Sequence, residues 1–199
     1  MLPSRLEDHW SRPSSAWAWD GTTYVQYDPE VPREALYEGD RVLLAEPQRT
    51  NLLLQSASLG DQDVSVANET HTLSFRGTGT VTLSGAHSAT VEGTAGERTT
   101  YTFTPVAGTL SLATSGTVEY GQLEEGAFAT SWIKTTDTQT TRAADEVGDL
   151  PFHMEDGPKS AHLRIHQVAG GYSTNEGGNV TNSEVNLTDA PDQAGGGPL

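Results

Sequence analysis

Apolar residues fall at every second position in five short segments in the middle of the chain: His71-Thr-Leu-Ser-Phe75, Thr80-Val-Thr-Leu83, Thr90-Val-Glu92, Thr99-Thr-Tyr-Thr-Phe103 and Thr109-Leu-Ser-Leu112. In an extended strand successive side chains point to opposite faces, so this period gathers the apolar residues on one face and the Thr and Ser residues on the other. It predicts half-buried antiparallel strands with Leu73, Phe75, Val81, Leu83, Tyr101, Phe103, Leu110 and Leu112 directed inward. Glycines between the segments, at a spacing of roughly ten residues, suit the hairpins of a β-sandwich or jelly roll. Two earlier strands are expected, Arg49-Thr-Asn-Leu-Leu-Leu-Gln55 and Asp61-Gln-Asp-Val-Ser-Val66, and the β region is expected to continue to about Ile133.

The flanks follow other patterns. In residues 1–48, Trp10, Trp17, Trp19, Tyr24, Tyr27 and Tyr37 lie among Pro13, Pro29, Pro32 and Pro47. Prolines at that density oppose a long helix or a central strand. The segment therefore reads as extended pieces and turns that dock aromatic side chains on another surface, with a sister subunit as one candidate. Trp10, Trp17, Trp19, Tyr24 and Trp132 are the candidate contact residues, either for a protein interface or for stacking on sugar rings. After Ile133 the polar run Thr135–Thr141 permits a strand or an extended linker, and Arg142-Ala-Ala-Asp145 reads as a domain exit. Residues 147–199 hold one strand-like piece, Ala161–Val168, and a Gly/Asn-rich tail expected to be disordered on its own. The expected fold is all-β: an antiparallel β-sandwich or jelly roll over 49–146, with an irregular N-terminal docking segment and a Gly/Asn-rich C-terminal extension.

A chain of 199 residues fits one such domain with appendages. It has no apolar run of about 18 residues, and Met1–His9 lacks the basic and apolar regions of a signal peptide, so neither membrane insertion nor an export signal is expected. Twenty-seven acidic residues face eleven basic ones, for a formal charge of −16, which makes nucleic-acid phosphate a poor partner. Nine of the cations are Arg and only Lys134 and Lys159 are Lys; an acid excess of this kind suits either a protein held soluble in concentrated salt or one with a merely acidic surface. The absence of cysteine excludes disulfides, thiolate metal sites and a cysteine nucleophile.

Candidate chemistry is sparse. His162 and His166, four apart on a strand, would stand about 13 Å from each other, too far to share one ion. Asp61, Asp63 and Asp145, or Asp149, Glu155 and Asp156, carry oxygen ligands of the kind Ca²⁺ takes, but neither set has the calcium-loop pattern. Glu124 and Glu125 are adjacent, so on a strand they point apart and cannot face each other as a glycosidase pair. No nucleophile elbow, phosphate loop or His-Glu-x-x-His motif occurs. No catalytic residue, metal or cofactor is expected, and the chain does not read as an enzyme.

Three stretches carry a family likeness: Glu46-Pro-Gln-Arg-Thr-Asn-Leu-Leu-Leu-Gln-Ser56, Gly77-Thr-Gly-Thr-Val-Thr-Leu-Ser-Gly85, and Tyr120-Gly-Gln-Leu-Glu-Glu-Gly-Ala-Phe-Ala-Thr-Ser-Trp-Ile133 running on to Arg142-Ala-Ala-Asp145. Together, over roughly residues 40–146, they resemble the carbohydrate-binding-like β-sandwich of tailed-virus fibre, head-spike and related virion proteins. The resemblance implies a structural protein of a tailed virus particle: a capsid decoration, turret or spike, or fibre component on the capsid or tail surface. It implies contact with the major capsid protein or another virion protein, with host-surface polysaccharide as a further partner, and the Trp and Tyr cluster before residue 40, a liability if exposed on a free monomer, points to a homotrimer or homopentamer. The alternative is a dedicated carbohydrate-binding receptor adhesin of the tail. A polysaccharide depolymerase, the third reading, needs a catalytic pair that the sequence does not offer.

Overall fold

The computed structural model describes residues 10–37, 40–147, 161–165 and 183–187. The chain divides into two compact units, residues 1–150 and 151–199. Among the described residues there is no helix. The first unit contains β1 (Trp10–Ser11), β2 (Ala16–Trp19), β3 (Tyr24–Tyr27), β4 (Glu34–Tyr37), β5 (Asp40–Leu43), β6 (Arg49–Asn51), β7 (Gln62–Val66), β8 (His71–Arg76), β9 (Thr80–Gly85), β10 (Ala89–Glu92), β11 (Arg98–Phe103), β12 (Gly108–Ser115), β13 (Glu119–Glu125), β14 (Thr140–Arg142) and β15 (Glu146–Val147). The second contains β16 (Ala161–Ile165) and β17 (Ser183–Leu187).

The alternating segments build two antiparallel sheets, of order β10-β9-β12-β7 and β11-β8-β13. Register brings the apolar positions level: Leu83 lies opposite Leu112, Leu110 opposite Val64, and Leu73 opposite both Tyr101 and Leu123. Seven of the eight residues expected inward are buried in one hydrophobic cluster with Leu53, Val64, Val66, Val91 and Leu123, and Tyr101 packs against it half-buried. The arrangement is all-β and antiparallel, consistent with a β-sandwich. Its turns use backbone that side chains resist: Gly77 has φ of 111°, and a Cβ there would stand 2.2 Å from the Thr117 carbonyl oxygen.

At the sandwich entry the structure differs from the sequence reading. The strand expected over Arg49–Gln55 ends at Asn51, because beyond it side chains take the place of a partner strand. Asn51 Oδ1 accepts from Leu53 N at 3.1 Å, and the Gln62 amide bonds both Leu54 N and Leu54 O. The polar run after Ile133 becomes a strand only at its end, where β14 pairs with β6. In the second unit β16 and β17 pair antiparallel, Leu163 opposite Val185 and Arg164 opposite Glu184. Thus Ser183–Leu187, inside the tail expected to lack structure, is a second strand of that unit; the rest of the tail lies outside the described residues.

Candidate functional site

The aromatic segment does dock, and the surface it docks on belongs to its own chain. β2 and β3 form a hairpin closed at Asp20, whose Oδ1 accepts from Thr22 N at 2.7 Å and Thr23 N at 2.8 Å. Along β2 the small residues Ala16 and Ala18 are buried, and Trp17 and Trp19 alternate with them half-buried. Their rings meet Tyr24 of β3, Tyr120 within β13 and Trp132 beyond it. Ring centroids stand 5.2 Å apart for Trp17 and Trp132, 5.1 Å for Trp19 and Tyr24, 5.0 Å for Tyr24 and Tyr120, and 4.9 Å for Tyr120 and Trp132. Tyr120 reaches this cluster through a register shift in β13 between Glu119 and Gln122, where its own φ is 52°. The Arg76 guanidinium lies 3.5 Å from the Trp19 ring centroid, and Lys134 Nζ lies 5.5 Å from that of Trp17.

Of the five candidate contact residues, four are thus brought together: Trp17, Trp19, Tyr24 and Trp132. Trp10 stands apart, buried in β1 against β15. Tyr24 and Trp132 are 7% and 2% exposed, so of these four candidates Trp17 and Trp19 offer ring surface, beside the half-buried Tyr120. The recess beside them, lined in part by Ser15, Trp17, Trp132, Lys134 and Thr141, has a volume of about 50 Å³. Small-molecule pockets run to roughly 300–1,000 Å³, so a sugar would lie across this surface and not within it.

Beneath the aromatic cluster lies a polar frame that the sequence reading missed. Arg12, Arg33 and Arg142 are all buried and converge on Asp145. Arg12 Nη1 donates to Asp145 Oδ1 at 3.1 Å, Arg33 Nη2 to Oδ2, and Arg142 Nη1 to Oδ2 at 3.4 Å. Glu46 closes the group: its amide donates to Asp145 Oδ2 at 2.9 Å, and its carboxylate pairs with Arg33 at 3.1 Å and Arg142 at 3.4 Å. Burial pushes the Glu46 carboxyl up, but Arg142, Arg33 and the bonds from Ser131 outweigh it and hold the group below its ordinary range. This clasp ties residues 12 and 33 to the sandwich exit more than a hundred residues later, so the N-terminal segment is integral to the first unit.

A second part of the frame is built from the opening and closing strands. Asn51 donates through Nδ2 to Gly121 O at 3.0 Å and Ile133 O at 2.8 Å, while its Oδ1 accepts from Leu53 N and Leu123 N. Every hydrogen-bonding capacity of that buried amide is used. Gln122 accepts from Ile133 N at 2.6 Å and donates to Glu124 Oε1 at 2.7 Å. Glu124, facing inward as Glu125 faces solvent, also accepts from Thr130 N at 2.8 Å and Thr130 Oγ1 at 2.7 Å. Burial raises the Glu124 carboxyl above its ordinary value, more than its hydrogen bonds from Thr130 and Gln122 and the charge of Arg98 lower it.

The remaining candidates do not assemble. Asp145 is held in the clasp, whereas Asp61 is exposed and accepts from Thr114 N at 2.7 Å and Thr114 Oγ1 at 3.0 Å, bonds that lower its carboxyl. Among the described residues no group of three or more His, Asp or Glu is placed to hold a metal ion. Asp149, Glu155, Asp156 and His166 lie outside the described residues, and His162 lies in β16. Compared with protein-family models, with curated proteins and with solved structures, the chain matches none.

Proposed function

We propose that the chain is a structural protein of a tailed virus particle, a jelly-roll type sandwich that assembles as a trimer or pentamer on the capsid or tail and performs no catalysis. One observation supports the structural, non-catalytic part of this reading, and the virion setting rests on the resemblance of the quoted motifs. The polar residues of the quoted motifs are buried and spent on internal bonds: Gln122 and Thr130 on Glu124, Asn51 on the Gly121 and Ile133 carbonyls, and Arg142 on Asp145. Groups consumed in this way hold a sandwich rigid and leave no activated acid, base or nucleophile at a surface. With the N-terminal aromatic segment spent on its own chain, the C-terminal segment and the outer faces of the first unit then serve attachment to sister subunits and to the major capsid protein or another virion protein. Light scattering on the purified chain and immunogold labelling of intact particles test the proposal. A trimer or pentamer that labels the particle surface supports it; a monomer with no label on particles rejects it.

The second reading, a carbohydrate-binding adhesin, draws on the half-exposed Trp17 and Trp19. Each stacking contact contributes about 0.5–1.5 kcal/mol, so W17A and W19A should each weaken glycan binding about two- to twelvefold. A glycan array on the parent and both variants decides between the readings: tryptophan-dependent binding to host-surface polysaccharide favours the adhesin.

A further inference from the structure

The first unit sorts its charges by depth. Among the residues described with their side chains, the six arginines all point into internal contacts and none is exposed. Arg12, Arg33 and Arg142 form the clasp, and Arg76 covers Trp19. Arg98 donates to Thr130 O and, at 2.8 Å, to Ser74 Oγ, while Arg49 lies 3.7 Å from Glu124. The exterior keeps the opposite sign. Twelve Asp and Glu residues of the same set are exposed, against Lys134 as the exposed cation. Formal net charge therefore understates the acidity of the surface, because much of the positive charge sits inside and is already paired.

We infer that this unit is built to work in concentrated salt, with mobile cations in place of surface ion pairs. The physical basis is the difference in screening between the two layers. Repulsion among exposed carboxylates extends over about 30 Å at 0.01 M ionic strength and only about 3 Å at 1 M, whereas a clasp shielded from solvent is screened far less. Salt thus removes the shell's repulsion and leaves the interior attraction in place. An ordinary surface with interspersed signs would lose favourable pairs as it lost unfavourable ones. The inference concerns the stability of the folded chain and stands whether or not the assembly reading does.

The test is thermal unfolding of the full chain across NaCl concentrations, for the parent and for a variant with D63N, E92Q, E97Q, E119Q and E125Q. These five residues are exposed and make no side-chain hydrogen bond or ion pair among the described residues, so their neutralisation leaves those contacts of the fold intact. The parent Tm should rise by at least about 5 °C between 0.01 and 1 M NaCl, a change on the scale of one or two kcal/mol for a domain of this size. The variant should melt higher than the parent at 0.01 M and show about half its salt dependence. Because any general salting effect acts on both proteins, the difference between their slopes isolates the carboxylate repulsion. A parent Tm that stays level or falls with salt overturns the inference, and so does a variant that keeps the full slope.

Discussion

Replacing Asp145 with Asn tests the clasp at its centre. The Asp145 side chain is fully buried and receives bonds from Arg12, Arg33, Arg142 and the Glu46 amide. The substitution keeps the volume and one acceptor, but leaves three guanidiniums with the single carboxylate of Glu46 and turns an amide donor toward one of them. Breaking a buried pair from one side costs about 3–5 kcal/mol, because the remaining charge stays buried without compensation. That is a large share of the roughly 5–15 kcal/mol that holds a domain together. For a domain of about 150 residues each kcal/mol moves Tm by about 2–4 °C, so D145N should melt roughly 6–20 °C below the parent. Urea unfolding followed by tryptophan fluorescence measures the loss directly, with an unchanged m-value showing that the unfolding transition still spans the same surface. In a cycle with R33M, part of the loss should disappear, since one guanidinium no longer needs a partner. A loss below about 1 kcal/mol, the range of exposed pairs, would refute the reasoning that this group is buried and coupled.

Two further predictions follow from the core and the frame. Leu83 is 1% exposed and lies opposite Leu112, so L83D places a carboxylate without a partner in the hydrophobic cluster; the cost of several kcal/mol should abolish the cooperative melt, and an unchanged Tm would contradict the core assignment. Glu46 and Glu124 act with opposite sign. The depressed Glu46 contributes stability above its ordinary value of 4.5 that is lost as pH falls through its folded value, whereas the raised Glu124 contributes stability below 4.5 that is lost as pH rises through its own. E124Q should therefore match the parent at low pH and equal or exceed it at pH 7; urea midpoints that put the variant well below the parent at pH 7 would show that the buried carboxylate is needed charged.

The strands were legible because burial of one sheet face writes a period of two into the sequence, and Leu73, Phe75, Val81 and Leu83 carry it without interruption. What stayed hidden has a common cause, which is bonding between residues far apart in the chain. Arg12 and Arg33 look like ordinary surface arginines of a Pro-rich segment, and nothing local shows that both end on Asp145. The early end of β6 likewise depends on two side chains, Asn51 and Gln62, that occupy the hydrogen bonds a longer strand would need. For the aromatic segment, the tryptophan spacing signalled docking but not its target. Tyr120 and Trp132, the rings that receive Tyr24, are placed by a bulge and by Gln122, whose Oε1 holds Ile133 N.

The same distinction bears on how far a motif can carry function. A stretch such as Arg-Thr-Asn-Leu or Arg-Ala-Ala-Asp is specific because its side chains substitute for missing backbone partners or neutralise buried charge, and both demands come from the sandwich itself. Asn51 shows the point: with all four of its capacities used, it has none left for a ligand, so any sandwich needing that junction selects Asn whatever it binds. Resemblance resting on these residues therefore transmits architecture. Specificity for a partner must come from groups the frame leaves unused, and among the described residues those include the half-exposed rings of Trp17, Trp19 and Tyr120, the cation of Lys134 and the acidic shell. Substitutions at Trp17 and Trp19 will report on recognition together with the packing of the β2–β3 hairpin, whereas substitutions at Asn51, Glu46 or Asp145 will report on fold alone.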